Sequence, residues 1–388
     1  MVRELWDLVD RAEKLDPNLA ELDQTRASIH RELGERQQAE QWARRSIEHR
    51  QELPLAYWVL STVVKADDEG IRMLERGLTV ATKPVDVWLL NMELSRTYGW
   101  KHPELQLEAS QRALKAMPGT WWPLNNTVMA LVKLERYQEA AEAAREALQL
   151  KDYAWTRAYL AAALLGLGRV KEMDEEATAI NDAPALAWVA ERLAINYGQH
   201  EHALRLAERA IQINPDETSP RLQRANALFQ LGRTEEATAE YERVIRLEPR
   251  TQFNRQDQGS CYHGLAIVAY RKGHYSEAKA FCQKALALYP GQWGAQVLLG
   301  TIQADVEHDC AAAIPNLEAI IVHRPRDTDV NYYLGLCYRE TGRDEEGTAL
   351  WKRLIEWYPR SEWADRVRKQ LELAHSTESD HVDSMKNE

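Results

Sequence analysis

Prolines recur at a nearly constant interval through the second half of this chain, at Pro215, Pro249, Pro290, Pro325 and Pro359. The intervals are 34, 41, 35 and 34 residues. Glycines follow the same period independently, because Gly198 and Gly232 lie 34 residues apart and Gly273 follows 41 residues later. Two residue types with different backbone roles thus share one period and one insertion. The pattern predicts an array of repeats, in which each unit contacts its neighbours, rather than several globular domains.

Residues 218–251 show what one unit contains. The first predicted helix places Leu222, Ala225 and Leu228 on one face, and a Leu-Gly-Arg turn at residues 231–233 follows it. The second predicted helix carries an inner apolar stripe of Ala237, Tyr241, Val244 and Ile245. Neither helix can bury its apolar face alone, so the unit requires neighbouring copies to form a core.

The same pattern of prolines and turn glycines divides the whole chain into units. We predict an N-terminal half-repeat helix at 1–17, repeats one to seven at 18–251, an insertion at 252–258, repeats eight to ten at 259–361, a capping helix at 362–374 and a disordered acidic tail at 375–388. The insertion either extends a helix by about two turns or bulges as a loop. It is interpreted as a tolerated surface insertion, with a partner contact or a joint between two stacks as the alternative.

Small, aromatic and proline residues occupy matching places in three later units: Ala225, Leu228, Ala237, Tyr241 and Pro249; Tyr262, Leu265, Ala266, Ala269, Ala278, Cys282, Ala285 and Pro290; and Leu334, Gly335, Tyr338, Gly347, Trp351 and Pro359. This pattern resembles the tetratricopeptide repeat over about residues 1–374. The resemblance implies an all-α, right-handed superhelical solenoid of about ten helix-turn-helix units. It also implies that the first helices line a concave groove for a partner protein or an extended peptide.

Composition and charge narrow the classes of partner. The net charge is -11 with a pI near 5.6, which disfavours the nucleic-acid backbone as the main ligand. No apolar run reaches the length of a membrane span, and the N-terminal residues are too polar for a signal peptide, so a cytoplasmic location is the expectation. The cysteines lack the paired spacing of a zinc site or disulfide framework and are interpreted as core thiols, at Cys261, Cys282, Cys310 and Cys337.

Tryptophans recur once per unit on the predicted first helices. Two interpretations stay open. The tryptophans either pack in the core or line the groove, where large rigid aromatics are typical binding anchors. Polar neighbours would then bind the backbone or a carboxylate of an extended ligand. The predicted partner-binding residues are Trp122, Asn125, Met129, Trp155, Trp188, Arg192, Asn196, Asn226, Phe229, His263, Tyr270, Tyr332 and Arg339.

The sequence carries no recognised catalytic motif. The sequence contains no GxxxxGK[ST], GxSxG or HExxH motif, and no catalytic residue, cofactor or metal site is predicted. The basic clamp that holds a C-terminal carboxylate in chaperone-binding members of the family is incomplete here, since only Asn125 and Lys133 match it. The predicted function is a non-catalytic interaction scaffold or adaptor. The alternative is an accessory subunit that positions substrate for a separate catalytic chain; the oligomeric state stays open.

Overall fold

The computed structural model describes residues 2–16, 19–64, 67–99, 101–249 and 251–371. Within these ranges every regular element is a helix, and no strand is found. The all-α prediction is therefore confirmed. The predicted acidic tail at 375–388 lies outside the described residues, as does the end of the predicted capping helix, of which residues 362–371 are helical.

The chain divides into two compact units, Met1–Arg192 and Leu193–Glu388. The first unit contains α1 (Val2–Leu15), α2 (Ala20–Glu32), α3 (Arg36–His49), α4 (Pro54–Val63), α5 (Asp67–Val80), α6 (Pro84–Tyr98), α7 (Pro103–Ala116), α8 (Trp121–Lys133), α9 (Tyr137–Leu150), α10 (Ala154–Gly166) and α11 (Val170–Ala179). The unit boundary falls within α12 (Ala183–Tyr197).

The second unit continues with α13 (His200–Ile213), α14 (Thr218–Gln230), α15 (Thr234–Arg246), α16 (Gln252–Arg271), α17 (Tyr275–Leu288), α18 (Trp293–Thr301), a π-helical segment (Ile302–Val306), α19 (Cys310–Ile321), α20 (Thr328–Glu340) and α21 (Asp344–Trp357). The 3.6-residue apolar period and the glycine turns account for this order. At Gly232, φ is +79°, a conformation in which a side chain would be strained, and Arg233 N–H donates to the Leu228 carbonyl to close the helix end.

Short turns join consecutive helices, which therefore pack as antiparallel pairs. Within the first unit, the first helices of successive pairs also contact one another: α2 packs on α4, α4 on α6, α6 on α8 and α8 on α10. Fully buried alanines let these helices approach closely, among them Ala130 of α8 and Ala158 and Ala161 of α10. The first helices consequently form one continuous layer, and their outward faces line a shared surface.

The insertion at 252–258 forms the first two turns of α16, so the structure contains the helical one of the two predicted forms. Thr251 and Asn254 cap this helix reciprocally, side chain to backbone. Asn254 Nδ2 also donates to Thr218 Oγ1 at 2.8 Å. Gln258 is buried, and its Nε2 donates to the carbonyls of residues 244, 245 and 247 at 3.2, 3.2 and 2.6 Å. The insertion thus satisfies the carbonyl end of α15.

Replacing Gln258 with leucine should lower the free energy of unfolding by about 1–3 kcal/mol, because the partly buried carbonyls of Ile245 and Leu247 lose their side-chain donor. Gln252→Leu, in the exposed first turn of the same helix, is the matched control and should change stability little. Urea denaturation followed by circular dichroism measures both. Equal midpoints for the two variants would show that the Gln258 contacts contribute nothing to stability.

The cysteine interpretation is wrong for one pair. Cys310 and Cys337 form a disulfide between α19 and α20, with Cα atoms 4.8 Å apart. Sequence spacing missed it because the two residues are 27 apart and meet only when the helix pair folds. Cys261 and Cys282 are buried thiols, as predicted, and burial raises the pKa of Cys282 to about 12.

The disulfide predicts how many cysteines react with iodoacetamide before and after reduction. Iodoacetamide added to the protein unfolded without reductant should modify two cysteines, Cys261 and Cys282. After reduction it should modify all four. Intact-mass spectrometry distinguishes the two states, and four modifications without prior reduction would mean that the pair at 310 and 337 is not joined.

Candidate functional site

An aromatic row lies on the first-helix layer of the first unit, and consists of Trp155 and Tyr159 of α10 and Trp188 of α12. The ring centroids of Trp155 and Trp188 are 6.3 Å apart, and Tyr159 lies 6.0 Å from the first and 5.3 Å from the second. These separations are those of rings in direct contact. Both tryptophans are only half-buried, so the row offers aromatic surface to a ligand.

A cleft of about 370 Å³ opens beside the row and is lined by Asn125, Tyr153, Trp155, Tyr159 and Trp188. We call it the Trp155 cleft. Asn125 is 9% exposed, and its Oδ1 accepts a hydrogen bond of 2.9 Å from Thr156 Oγ1. With its oxygen engaged, the amide can present its N–H groups as donors. Burial raises the pKa of Tyr159, whose hydroxyl stays neutral and donates to the Met129 sulfur at 3.2 Å.

A second cleft, of about 490 Å³, lies between α6 and α8, and we call it the Trp122 cleft. Its lining is mainly apolar and comprises Trp88, Leu89, Met92, Glu93, Arg96, Gly99, Gln106, Trp122, Asn126 and Met129. Trp122 is 50% exposed. The two methionines are flexible and polarisable, so they can adapt the wall to different apolar groups.

Buried polar groups support the floor of the Trp122 cleft. Asn126 Nδ2 donates to Ser95 Oγ at 3.0 Å, and the hydroxyls of Ser95 and Ser110 lie 2.8 Å apart. Gln106 is 1% exposed, and its Nε2 is buried without a hydrogen-bond partner. An unsatisfied buried donor is costly, so an acceptor from a ligand would be stabilising there.

Charge is scarce around the Trp155 cleft, whereas the Trp122 cleft is bordered by Glu93 and Arg96, which form an ion pair with each other. Helices α8 and α10 hold 13 residues each, and their charged residues are Lys133 and Arg157. Arg157 is committed to ion pairs with Asp152 and Glu176, both at 2.7 Å. At the other side of the row, the Arg192 guanidinium lies 4.9 Å from the Trp188 ring centroid. The surface is thus suited to an uncharged, apolar ligand rather than to a strongly charged one.

Comparison with known proteins identifies the architecture. Family models of the tetratricopeptide repeat match residues 185–260, 259–292 and 306–359. Residues 185–292 and 306–359 are thus tetratricopeptide repeats. The resemblance predicted from the sequence is confirmed, and the clefts lie largely in tetratricopeptide-like helices ahead of the matched ranges.

The relatives that match this chain are distant. DnaJ homolog subfamily C member 3 from Homo sapiens and from Gallus gallus is 26% identical over 159 residues, which is 38% of this chain. The match spans about a third of those relatives, 31% of each. The Cut9–Hcn1 hetero-tetramer of the APC/C matches with a TM-score of 0.50 and 15% identity, over 90% of this chain and 75% of that one. Yeast Tom70 matches with a TM-score of 0.50 and 12% identity, over 97% and 93%. At these identities the likeness shows the fold alone.

Five of the predicted binding residues come together in the first unit of the repeat array: Trp122, Asn125, Met129, Trp155 and Trp188. Arg192 lies against Trp188, while Asn196 is exposed near the end of α12. The sequence reading missed Tyr159, which joins the two tryptophans of the row. A signal was available, because Tyr159 follows Trp155 by four residues and so shares its helix face.

Predicted binding residues in the second unit are engaged in packing. Tyr332 is 7% exposed and stacks on Trp351 at 6.0 Å, and Phe229 is 8% exposed beneath the Arg271 guanidinium at 4.6 Å. Asn226 Oδ1 accepts from the Tyr241 hydroxyl at 2.8 Å. Because these groups are buried or hydrogen-bonded within the repeats, we leave Tyr332, Phe229 and Asn226 out of the candidate site.

The remaining three predicted residues also have neighbours within the second unit. Burial lowers the pKa of His263 to about 4, so its imidazole is neutral near pH 7. Tyr270 contacts Tyr275 with ring centroids 5.3 Å apart. Arg339 lies 5.1 Å from the Trp351 ring centroid. None of the three lines either aromatic cleft of the first unit.

Proposed function

We propose that the chain is a non-catalytic scaffold that binds a partner protein, through an extended segment of that partner, along the Trp122 and Trp155 clefts. The observation that carries this proposal is the half-buried aromatic row beside a cleft with a positioned amide donor. Half-buried tryptophans leave apolar surface in contact with water in the free protein, which is unfavourable. They become binding anchors when a partner covers that surface. Among proteins of the same fold, Cut9 occurs in a hetero-tetramer with Hcn1.

The proposal is tested by affinity capture from the native source. Tagged wild-type protein and a Trp155→Ala, Trp188→Ala variant are used as parallel baits, and bound proteins are identified by mass spectrometry. We expect a partner that is retained by the wild type and lost by the variant. A partner set that is identical for both baits would contradict binding at the aromatic row. A stoichiometric enzyme among the row-dependent partners would favour the accessory-subunit alternative.

The structure adds two observations relevant to chemistry and location. Among the described residues, no three histidine, cysteine, aspartate or glutamate side chains are arranged to hold a metal ion. No helix in the described ranges combines the length and apolar character needed to cross a membrane. The cytoplasmic location remains a prediction. The disulfide between Cys310 and Cys337 counts against it, because disulfides are rare in a reducing cytosol.

A further inference from the structure

The geometry of the Trp155 cleft restricts the shape of its ligand. Neighbouring rings of the aromatic row contact one another at 5.3–6.3 Å, so no ligand group fits between them as in an aromatic cage. The Arg192 guanidinium already lies over Trp188 at 4.9 Å, where it would repel a cationic ligand. A ligand must instead lie along the row and contact it with neutral, flat groups.

Charge complementarity restricts the ligand further. The walls contributed by α8 and α10 carry Lys133 and Arg157, of which Arg157 is paired with Asp152 and Glu176 away from the cleft. In a chain with 28% charged residues, these two helices present a weakly charged surface. A strongly basic segment would lose its hydration there without gaining opposite charges, and a strongly acidic one would gain only the Arg192 guanidinium beside Trp188. The complementary ligand is therefore an uncharged segment.

Asn125 restricts the backbone conformation of the ligand. Its Oδ1 is held by Thr156, so its Nδ2 can donate to an acceptor that enters the cleft. A helical ligand uses its carbonyls internally and offers few acceptors. A polyproline II segment has no internal hydrogen bonds, so its carbonyls remain available, and its conformation is preformed before binding. Aromatic-lined grooves are a known physical solution for binding such segments.

We propose that the Trp155 cleft binds an uncharged, proline-rich segment in the polyproline II conformation. Its pyrrolidine rings lie against Trp155 and Trp188, and one of its backbone carbonyls accepts a hydrogen bond from Asn125 Nδ2. This inference rests on the proposed function, since it names the chemical class of segment that the groove takes.

The test uses the full chain and three neutral, end-blocked peptides of ten residues, in isothermal titration calorimetry. One peptide is polyproline, one repeats glycine and serine, and one repeats leucine, glycine and serine. The wild type should bind polyproline most tightly. Trp155→Ala should weaken that binding at least about tenfold, and so should Asn125→Asp, which keeps an acceptor for Thr156 but removes the amide donor. Phe253→Ser is the matched control, because Phe253 is an exposed aromatic outside the cleft.

Failure of this inference is distinguishable from failure of the proposed function. Binding of the leucine peptide in preference to polyproline, with the same dependence on Trp155, would overturn the proline-rich assignment and leave groove binding intact. Polyproline binding that is equal in the wild type, Trp155→Ala and Asn125→Asp would overturn the site. If none of the three peptides binds, the proline-rich assignment is wrong, and the capture experiment decides separately whether the groove binds a partner.

Discussion

Replacing Trp351 with alanine is expected to lower the free energy of unfolding of the second unit by about 3–5 kcal/mol. Trp351 is 1% exposed and is among the largest fully buried side chains of the described chain. Its Nε1 donates to the Tyr332 carbonyl at 3.0 Å, and its ring stacks on that of Tyr332. Truncation therefore removes a large buried apolar area, leaves a cavity and removes one hydrogen bond between α21 and the backbone of α20.

The neighbouring helix is shaped to the same indole. A side chain at Gly335 would overlap the Trp351 ring, so glycine is required for the close approach of α20 and α21. The cavity left by alanine cannot readily collapse, because the surrounding residues are held by their own packing: Leu317, Val330, Leu334, Leu354 and Val367 belong to the same buried cluster. This rigidity places the expected loss in the upper part of the range for large-to-small substitutions.

Repeat proteins can unfold in parts, so the measurement must be local. Hydrogen exchange followed by mass spectrometry should show lost protection in α20 and α21, with a smaller effect in the first unit. Trp293→Ala is the matched control, because Trp293 is 47% exposed and its loss leaves no buried cavity. A loss of less than about 1 kcal/mol for Trp351→Ala would contradict its assignment as the central packing residue of this unit.

Replacing Trp155 and Trp188 together with alanine is expected to weaken partner binding at least about 30-fold, which corresponds to about 2 kcal/mol. The physical reason is that these rings supply apolar area that becomes desolvated only when a partner covers the row. Both side chains are half-buried and contact Tyr159, so some folding stability is also lost. That loss should be smaller than for Trp351, because part of the removed surface is already exposed to water.

Two measurements separate the loss of binding from the loss of folding stability. They are the affinity for the captured partner and the thermal midpoint of unfolding followed by circular dichroism. The expected result is a large fall in affinity with a folded, helical variant. Trp293→Ala controls for the removal of an exposed tryptophan elsewhere, since its ring lies beside Arg324 in the second unit at 3.6 Å. A variant that unfolds would identify Trp155 and Trp188 as core residues, and unchanged affinity in a folded variant would remove them from the binding site.

One position of the repeat differs in exposure from unit to unit, although the sequence pattern treats it as equivalent. Trp155, Trp188, Leu222 and His263 occupy equivalent places on successive first helices when the repeat period is applied. The structure leaves both tryptophans half-buried at a cleft, whereas Leu222 is 6% exposed and His263 is desolvated enough for its pKa to fall to about 4. Periodicity places a residue on a helix face, but its exposure depends on the size and position of side chains from neighbouring helices.

The paired helices, their glycine turns and the repeat family followed from the sequence alone, because helix periodicity and turn chemistry are local properties. Only the tertiary structure decided which aromatics line clefts, how Asn125 is oriented, that residues 252–258 extend α16, and that Cys310 meets Cys337. Each of these depends on contacts between residues distant in sequence. Such contacts are set by how whole helices pack, and a 34-residue pattern does not encode them residue by residue.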